Sequence, residues 1–335
     1  MRRLGWGVIG IGNIVQSTIA PALVAEPACE LVAATSRDQV RAEKFADTFG
    51  ARYAYSDYQQ MLSNPEVEAV FIATPNALHA DNVIAAARAG KHVLCDKPMA
   101  TNLADAVREL EECGQAEVKF GVNFHNRHLE WVHDVKQLLA TGAIGEILAV
   151  EVEVGSGTRH YTNWRNEPHM AGLGSVYNVG VHAFDFLRLI LDSEAIDVVA
   201  LFDHVPGTGE VERLGMILLR YANGTMAYVN CNEKVAFPHN DFVFFGSEGR
   251  IAGYGLTRAR VDGELTVVTE NGSTTTPYPA PGAHQRAIAA FTDAVLTDGE
   301  PSASGLDGLR SMELCDAIAR SVTERRTVRV DYSNS

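Results

Sequence analysis

The sequence has no excess of positive charge and no long apolar run. Its 335 residues include 28 lysines and arginines but 42 aspartates and glutamates, so the formal net charge is -14. Nucleic acids and anionic membranes are bound by basic surfaces, so neither is an expected partner. No stretch approaches the roughly 20 apolar residues that cross a bilayer, and the first residues lack a signal-peptide pattern. These absences favour a cytoplasmic protein.

Cysteine is also sparse, and the few cysteines are scattered. The five positions are Cys29, Cys95, Cys113, Cys231 and Cys315. None belongs to a C-x-x-C pair, so the spacing does not favour a zinc cage or a dithiol redox motif. An odd, scattered set fits a reducing compartment better than a disulfide framework.

What the sequence does contain is a regular alternation of apolar runs and helical patterns over its first third. Strand-like runs at 4–10, 29–36, 68–75, 91–96 and 118–124 are separated by segments with helical spacing of apolar residues. Alternation of this kind predicts a parallel, doubly wound α/β sheet with right-handed crossovers. We therefore expect a Rossmann-type domain over residues 1–122.

The pattern changes in the remaining chain. Residues 147–155 alternate apolar and polar side chains, and further strand-like runs follow in 196–202, 214–221, 225–231, 241–246 and 250–254. Glycine and asparagine turns separate them, which predicts a large, mostly antiparallel open sheet. The sequence predicts an α+β domain over 123–335 for substrate binding and oligomerisation. Two helices close the chain, at about 283–297 and 305–324, and the C-terminal helix can pack back on the first domain.

The first turn of the predicted sheet carries a nucleotide-binding pattern. In "VIGIGNIVQ" (8–16), Gly10 permits a tight turn, and Gly12 lets the backbone approach a pyrophosphate. Asn13 and Ile14 then open a helix whose N–H groups face the ligand. Val15 replaces the third glycine of G-x-G-x-x-G, a position that serves packing. An ordinary tight turn is the alternative, but the strand–turn–helix context favours a dinucleotide.

The end of the second strand bears on the choice of dinucleotide. NAD sites usually place an acid there to bind the ribose 2′-hydroxyl. Here Ser36 and Arg37 occupy the strand end, and both are suitable donors to a 2′-phosphate. The alternative is that Arg37 is a solvated loop cation. We expect NADP(H) to be preferred, with NAD(H) possible.

The fourth strand ends in an acid, a lysine and a proline. A lysine at the carboxyl end of a parallel strand points into the crevice where ligands bind in such sheets. Lys97 could there manage the proton on a reacting oxygen and stabilise a developing alkoxide. The ordinary alternative is an exposed loop lysine.

Five motifs in order identify a resemblance that covers about residues 4–330. They are G10-x-G12, "ATPNALH" (73–79), "AGKHVLCDKP" (89–98), "GAIGEI" (142–147) and "GLGSVYNVGVHAFD" (172–185). The sequence resembles the glucose–fructose oxidoreductase / inositol dehydrogenase / MocA (Gfo/Idh/MocA) family of NAD(P)-dependent oxidoreductases. "HNRH", "YTNWRNEP" and "HAFDFLR" are similar to its 1,5-anhydro-D-fructose reductase and dihydrodiol or xylose dehydrogenase branch. The resemblance implies hydride transfer between nicotinamide and a carbinol or carbonyl carbon of a sugar, polyol or related cyclic substrate.

The resemblance also implies catalytic residues. The family motif is usually Glu-Lys-Pro with a cis Lys–Pro bond, and Asp96, Lys97 and Pro98 occupy it here. Lys97 is expected to contact the reacting group and the nicotinamide ribose. His182 matches the family histidine, although a lone histidine on an apolar helix is more often a core residue. Asn178 stands where the family often has aspartate, so an aspartate–histidine relay is in doubt.

Further residues are expected around the two ligands. Thr74, Pro75, Asn76 and His79 resemble the family's cofactor-contacting turn, with His79 in a supporting role, and Asp96 is expected beside the cofactor. The candidate substrate ligands are Asn126, Arg127, Tyr161, Trp164, Arg165, Asn178 and His182. Aromatic rings and hydrogen-bond donors of this kind suit a polyhydroxylated ring, but they could equally pack a linker and a loop. Asp185, one turn after His182, could orient its imidazole or cap a neighbour.

Two alternative functions remain beside a carbohydrate oxidoreductase. Such a fold can retain NAD for a non-redox reaction, such as glycoside cleavage or epimerisation by transient oxidation, or it can sense a dinucleotide without turnover. A cluster of His125, His128, Glu130 and His133 could bind zinc, but the family chemistry needs no metal, and none is expected.

The apolar alternation in 214–221 and 225–231 leaves a sheet face that needs covering, which predicts a homodimer or homotetramer.

Overall fold

The structure is a computed structural model that describes residues 2–158, 161, 163–257, 262–279 and 282–332. Among these residues the strands are β1 (Leu4–Ile9), β2 (Cys29–Thr35), β3 (Tyr53–Tyr55), β4 (Ala69–Ile72), β5 (His92–Cys95), β6 (Phe120–Val122), β7 (Ile147–Gly155), β8 (Ala195–Phe202), β9 (Leu214–Tyr221), β10 (Met226–Asn232), β11 (Phe242–Gly246), β12 (Gly249–Tyr254), β13 (Gly263–Thr269), β14 (Gly272–Tyr278) and β15 (Val328–Arg329). The α-helices are α1 (Ala20–Ala25), α2 (Gln39–Phe49), α3 (Tyr58–Leu62), α4 (His79–Arg88), α5 (Leu103–Gln115), α6 (Glu130–Ala140), α7 (Pro168–Ala171), α8 (Val181–Leu191), α9 (Ala283–Leu296) and α10 (Gly305–Glu324). Turns of π-helix at Val15–Ile19 and Val176–Gly180 lead into α1 and α8.

The chain divides into two compact units. The first contains Met1–His125 and His284–Met312, and the second contains Asn126–Ala283 and Glu313–Ser335. The division expected from the sequence, 1–122 and 123–335, assigns the segment 284–312 differently. The physical reason is packing within the first unit: Phe291 of α9 lies against Trp6 of β1, with ring centroids 5.6 Å apart, and both belong to one buried core.

The first unit is built on a parallel sheet with the strand order β3-β2-β1-β4-β5-β6. This confirms the predicted α/β class and is the order of a dinucleotide-binding sheet. Strand β1 pairs with β2 on one side and with β4 on the other. The chain therefore reverses its strand order beside β1, and ligands of such sheets bind in the crevice outside the strand ends at that point.

Local sequence explains where the helices of this unit begin and end. Helix α2 starts at Asp38, whose carboxylate accepts the backbone N–H of Arg41, and it stops at Gly50 with a φ of 75°. Helix α5 starts at Asn102, whose side chain accepts the N–H of Asp105. Side-chain caps and a left-handed glycine are the usual signals of helix ends. Both helices were predicted from the sequence, and the structure confirms them.

The second unit is built on a sheet with the order β14-β13-β12-β11-β7-β10-β9-β8-β15. Its pairs are antiparallel except for β10 and β7, which run parallel, so the mostly antiparallel prediction is confirmed. Strands β13, β14 and β15 were not predicted. Six of the seven residues of β14 are exposed, so it has no buried apolar face that a sequence pattern could reveal.

A buried acid fixes the segment that leads into α8. The carboxylate of Glu212 accepts the backbone N–H groups of Gly174 at 2.7 Å and Val176 at 2.9 Å. Burial raises the pKa of Glu212 to about 7, although these two hydrogen bonds act in the opposite direction. Any side chain at Gly174 would clash, because a Cβ there would lie 1.9 Å from the Glu212 carbonyl oxygen.

None of the helices in the described part of the chain is long and apolar enough to cross a membrane.

Candidate functional site

The turn after β1 has the geometry that a pyrophosphate requires. Gly10 has a φ of 92°, and a Cβ there would lie 2.8 Å from the carbonyl oxygen of Ala73. A Cβ on Gly12 would meet nothing within 4 Å, so open space adjoins the backbone where the phosphates would approach. Asn13 is exposed at the start of the helix, with Ile14 after it. Val15 is fully buried in the core, consistent with a packing role at the third glycine position.

The end of β2 offers donors, and the nearest acid caps the following helix. Ser36 is half-buried and Arg37 is exposed. The next acid, Asp38, is occupied as the helix cap of α2, where Oδ1 accepts the Arg41 N–H at 3.2 Å. The Oγ of Ser36 accepts the Asp38 N–H at 3.3 Å and can still donate its own proton.

Sequence reasoning missed Arg41. Its guanidinium donates a hydrogen bond to the carbonyl oxygen of Ile11, 2.9 Å away, inside the glycine turn. It therefore adds a second cation to the edge at which Arg37 lies. Arg37 lies before the Asp38 cap of α2, so no helical spacing links the two arginines, and the sequence carries no signal for this contact.

The turn after β4 is tied to the lysine loop through His79. This imidazole is buried, with Nδ1 2.8 Å from the Pro98 carbonyl oxygen and Nε2 2.9 Å from the Thr74 carbonyl oxygen. Burial lowers the pKa of His79, while the two carbonyls and Asp96 act to raise it. Pro75 precedes a short turn that begins at Asn76, which is buried. That His79 supports a cofactor-contacting turn stays a prediction.

Lys97 lies at the mouth of β5, as the sequence predicted. The ladder to β4 continues through the Asp96 N–H, which donates to the Ile72 carbonyl at 2.8 Å, and the Lys97–Pro98 bond is cis. Asp96 Oδ1 accepts from Asn123 Nδ2 at 3.3 Å. Lys97 itself is half-buried beyond a buried strand. The dinucleotide turn and the candidate catalytic lysine thus follow strands of one sheet.

In the second unit, α8 carries His182 and Asp185, and both are buried. The Asp185 carboxylate is engaged by Arg127, with Nε 2.8 Å from Oδ2 and Nη2 2.7 Å from Oδ1. This ion pair is almost completely buried, so it fixes Arg127 against α8. Asn126 is buried beside it, with Nδ2 3.5 Å from the Thr257 carbonyl oxygen. That Asn126, Arg127 and His182 bind substrate stays a prediction.

A second polar cluster gathers the remaining substrate candidates around Glu233, which sequence reasoning missed. Its Oε1 accepts the Tyr161 hydroxyl at 2.6 Å, and its Oε2 accepts Asn178 Nδ2 at 3.2 Å. Arg165 stacks on the Trp164 ring, 4.3 Å from its centroid, and is 5.7 Å from that of Tyr161. An acid directly after the last, buried residues of β10 was the signal for Glu233. Among the described residues, no three His, Cys, Asp or Glu side chains lie close enough to hold a metal ion.

Comparison with known proteins matches two consecutive segments of the chain. The oxidoreductase family with an NAD-binding Rossmann fold matches residues 4–124, and the GFO/IDH/MocA C-terminal domain matches residues 132–252. The 1,5-anhydro-D-fructose reductase of Ensifer adhaerens is 30% identical over 329 residues, covering 97% of this chain and 98% of that protein.

Solved structures agree with this match. The aldose-aldose oxidoreductase of Caulobacter crescentus, complexed with glycerol, superposes with a TM-score of 0.90 at 27% identity, covering 98% of this chain and 100% of that one. A 3-ketoreductase of Actinomadura kijaniata, in complex with NADP and TDP-benzene, gives a TM-score of 0.87 at 28% identity, covering 96% and 98%. The motifs around Lys97, the sheet order and these matches together show that the chain belongs to the GFO/IDH/MocA oxidoreductase family.

Proposed function

We propose that the protein transfers a hydride between a bound nicotinamide and a carbinol or carbonyl carbon of a sugar, polyol or related cyclic substrate. The observation that carries this proposal is the position of Lys97 at the mouth of β5, in the same sheet as the Gly10 turn. The carbohydrate names of the relatives support the substrate class.

The proton on the reacting oxygen is the part of the chemistry that the protein must manage itself. When bound, the nicotinamide supplies or accepts the hydride. The Lys97 ammonium stabilises the alkoxide that develops during reduction and donates a proton to it, and the reverse holds for oxidation. His182 is the second group that we assign to this proton. The other contribution of the chain is to orient the two reacting carbons, through the residues that bind the cofactor and those that bind the substrate.

A panel of sugars, polyols and their keto derivatives tests this function. The wild-type protein is expected to change the absorbance of NADPH or NADH with at least one carbohydrate, because the site contains both a dinucleotide turn and a proton-handling lysine. Cofactor that co-purifies and is never released would instead indicate a non-redox enzyme. Cofactor binding without turnover across the panel would identify a dinucleotide sensor and contradict the proposal.

We further propose that NADP(H) is preferred over NAD(H). Ser36, Arg37 and Arg41 are donors near the strand end where an NAD site would have an acid, and Asp38 is engaged as a helix cap. A 2′-phosphate favours such donors, since charge-assisted hydrogen bonds to it are stronger than neutral ones. The NADP complex of the Actinomadura relative supports this preference.

Removal of either arginine should weaken NADPH binding selectively. We expect Arg37→Ala and Arg41→Ala each to raise the NADPH dissociation constant by about 10- to 100-fold, the loss of one charge-assisted hydrogen bond. The NADH constant should change far less. Fluorescence titration measures both, and Lys44→Ala on α2 is the matched control for lost positive charge. Equal losses for the two cofactors, or tighter NADH binding by the wild type, would show that the preference is wrong.

A homodimer or homotetramer is the assembly that we propose. One face of the sheet formed by β8, β9 and β10 carries exposed apolar side chains. They are Val199, Leu201, Met216, Leu218 and Met226, which are between 39% and 73% exposed. Cross-strand pairing brings Leu201 beside Met216, and Val199 beside Leu218. A contiguous apolar surface of this kind is unusual on a monomer, and a second copy would cover it.

The sparse cysteines support a cytoplasmic location, which cell fractionation can test.

A charge on this face should separate the copies. The wild type is expected to sediment as a dimer or tetramer, and Leu201→Asp together with Leu218→Asp should shift it toward the monomer, because a buried unpaired carboxylate is costly. Val40→Asp, at a site with the same 73% exposure as Leu201 but on α2, is the control. Sedimentation of the wild type as a monomer would defeat the proposal.

A further inference from the structure

The buried carboxylate of Glu233 is surrounded by donors from separate parts of the second unit. Its side chain is only 1% exposed. The hydroxyls of Tyr161 and Ser156 donate to Oε1 at 2.6 and 3.2 Å, Asn178 Nδ2 donates to Oε2 at 3.2 Å, and Arg213 Nη1 lies 3.7 Å from Oε2. Burial of a carboxylate is costly unless its oxygens are hydrogen-bonded, and here both oxygens have donors.

This contact determines the orientation of the Asn178 amide. An asparagine side chain has one donor end, Nδ2, and one acceptor end, Oδ1. If the amide were turned over, Oδ1 would face Glu233 Oε2 at about the same distance, and two acceptors would repel each other. Glu233 therefore holds Nδ2 toward itself and directs Oδ1 elsewhere.

The same contact favours asparagine over aspartate at residue 178. An aspartate there would place a second carboxylate oxygen near 3.2 Å from Glu233 Oε2, beside a side chain that is 1% exposed. Two carboxylates at that distance repel each other, which favours the binding of a proton by one of them. Asparagine at 178 and glutamate at 233 thus form a compatible pair with one negative charge.

We propose that Glu233 is a positioning residue that fixes Asn178 so that its Oδ1 accepts a hydrogen bond from a hydroxyl of the carbohydrate substrate. This inference rests on the proposed function, and it assigns to Asn178 the role of a hydrogen-bond acceptor with no part in proton transfer. Among the residues that the structure describes, the charged or titratable groups at these distances from the carboxylate are Tyr161 and Arg213.

A double-mutant cycle with Asn178→Asp and Glu233→Gln tests the pair. Each single variant should lower kcat/KM by about 10-fold or more, an interaction within the range measured for residues in direct contact. Asn178→Asp should also gain activity as the pH is lowered, because protonation of one carboxyl group relieves the repulsion. In the double variant the introduced amide can donate to the introduced carboxylate, so kcat/KM should return to within about 3-fold of the wild type.

The same assays are applied to a control variant, and they show which results would contradict the proposal. Glu264→Gln, at an exposed acid of β13 in the same unit, removes one negative charge and should behave as the wild type. Additive losses in the double variant would overturn the pairing. If the variants that carry Glu233→Gln do not fold, as judged by thermal melting, the pH profile of Asn178→Asp decides, and a profile identical to that of the wild type would overturn it. A wild type that is inactive on all carbohydrates would contradict the proposed function instead.

Discussion

The bridge made by His79 is the contact on which the geometry of the first unit depends. Its two ring nitrogens lie 2.9 Å from the Thr74 carbonyl oxygen and 2.8 Å from the Pro98 carbonyl oxygen. One belongs to the turn after β4 and the other follows Lys97. A neutral imidazole has one N–H and bonds one of the two carbonyls, whereas the protonated ring bonds both. In either form the buried ring lies between the two loops and fills the space that separates them. The lysine is thereby held relative to the backbone of the adjacent strand end, and pre-organisation of this kind is what catalytic groups require.

Buried carboxylates have the corresponding role in the second unit. Glu212 accepts two backbone N–H groups at the start of the segment that carries Asn178, and Glu233 accepts the side chain of Asn178 itself. Burial disfavours both charges, so each carboxylate must keep its donors, and the donors in turn are fixed in position. The same physical constraint thus orders the backbone and the side chain of one segment.

Features that depend on neighbouring residues could be predicted from the sequence, and features that depend on distant residues could not. Gly10 and Lys97 each follow an apolar run, so the sequence alone places them at the ends of buried strands, and the fold confirms both positions. Strand β14 has no buried face, so no periodicity marked it. The contacts of Arg41 with Ile11 and of Glu233 with Asn178 join residues 30 and 55 positions apart, and spacing along the chain carries no information about such pairs.

The central claim is that Lys97 manages charge and proton on the reacting oxygen, and the rate of hydride transfer in a single turnover tests it most directly. We predict that Lys97→Met slows this step by about 10²- to 10⁴-fold, the usual contribution of a positioned acid–base group, while the dissociation constant of the cofactor changes far less. Lys91→Met provides the matched control, because Lys91 precedes the opposite end of the same strand and donates to the Asn64 carbonyl. A transfer rate in Lys97→Met within a few-fold of the wild type would contradict the account.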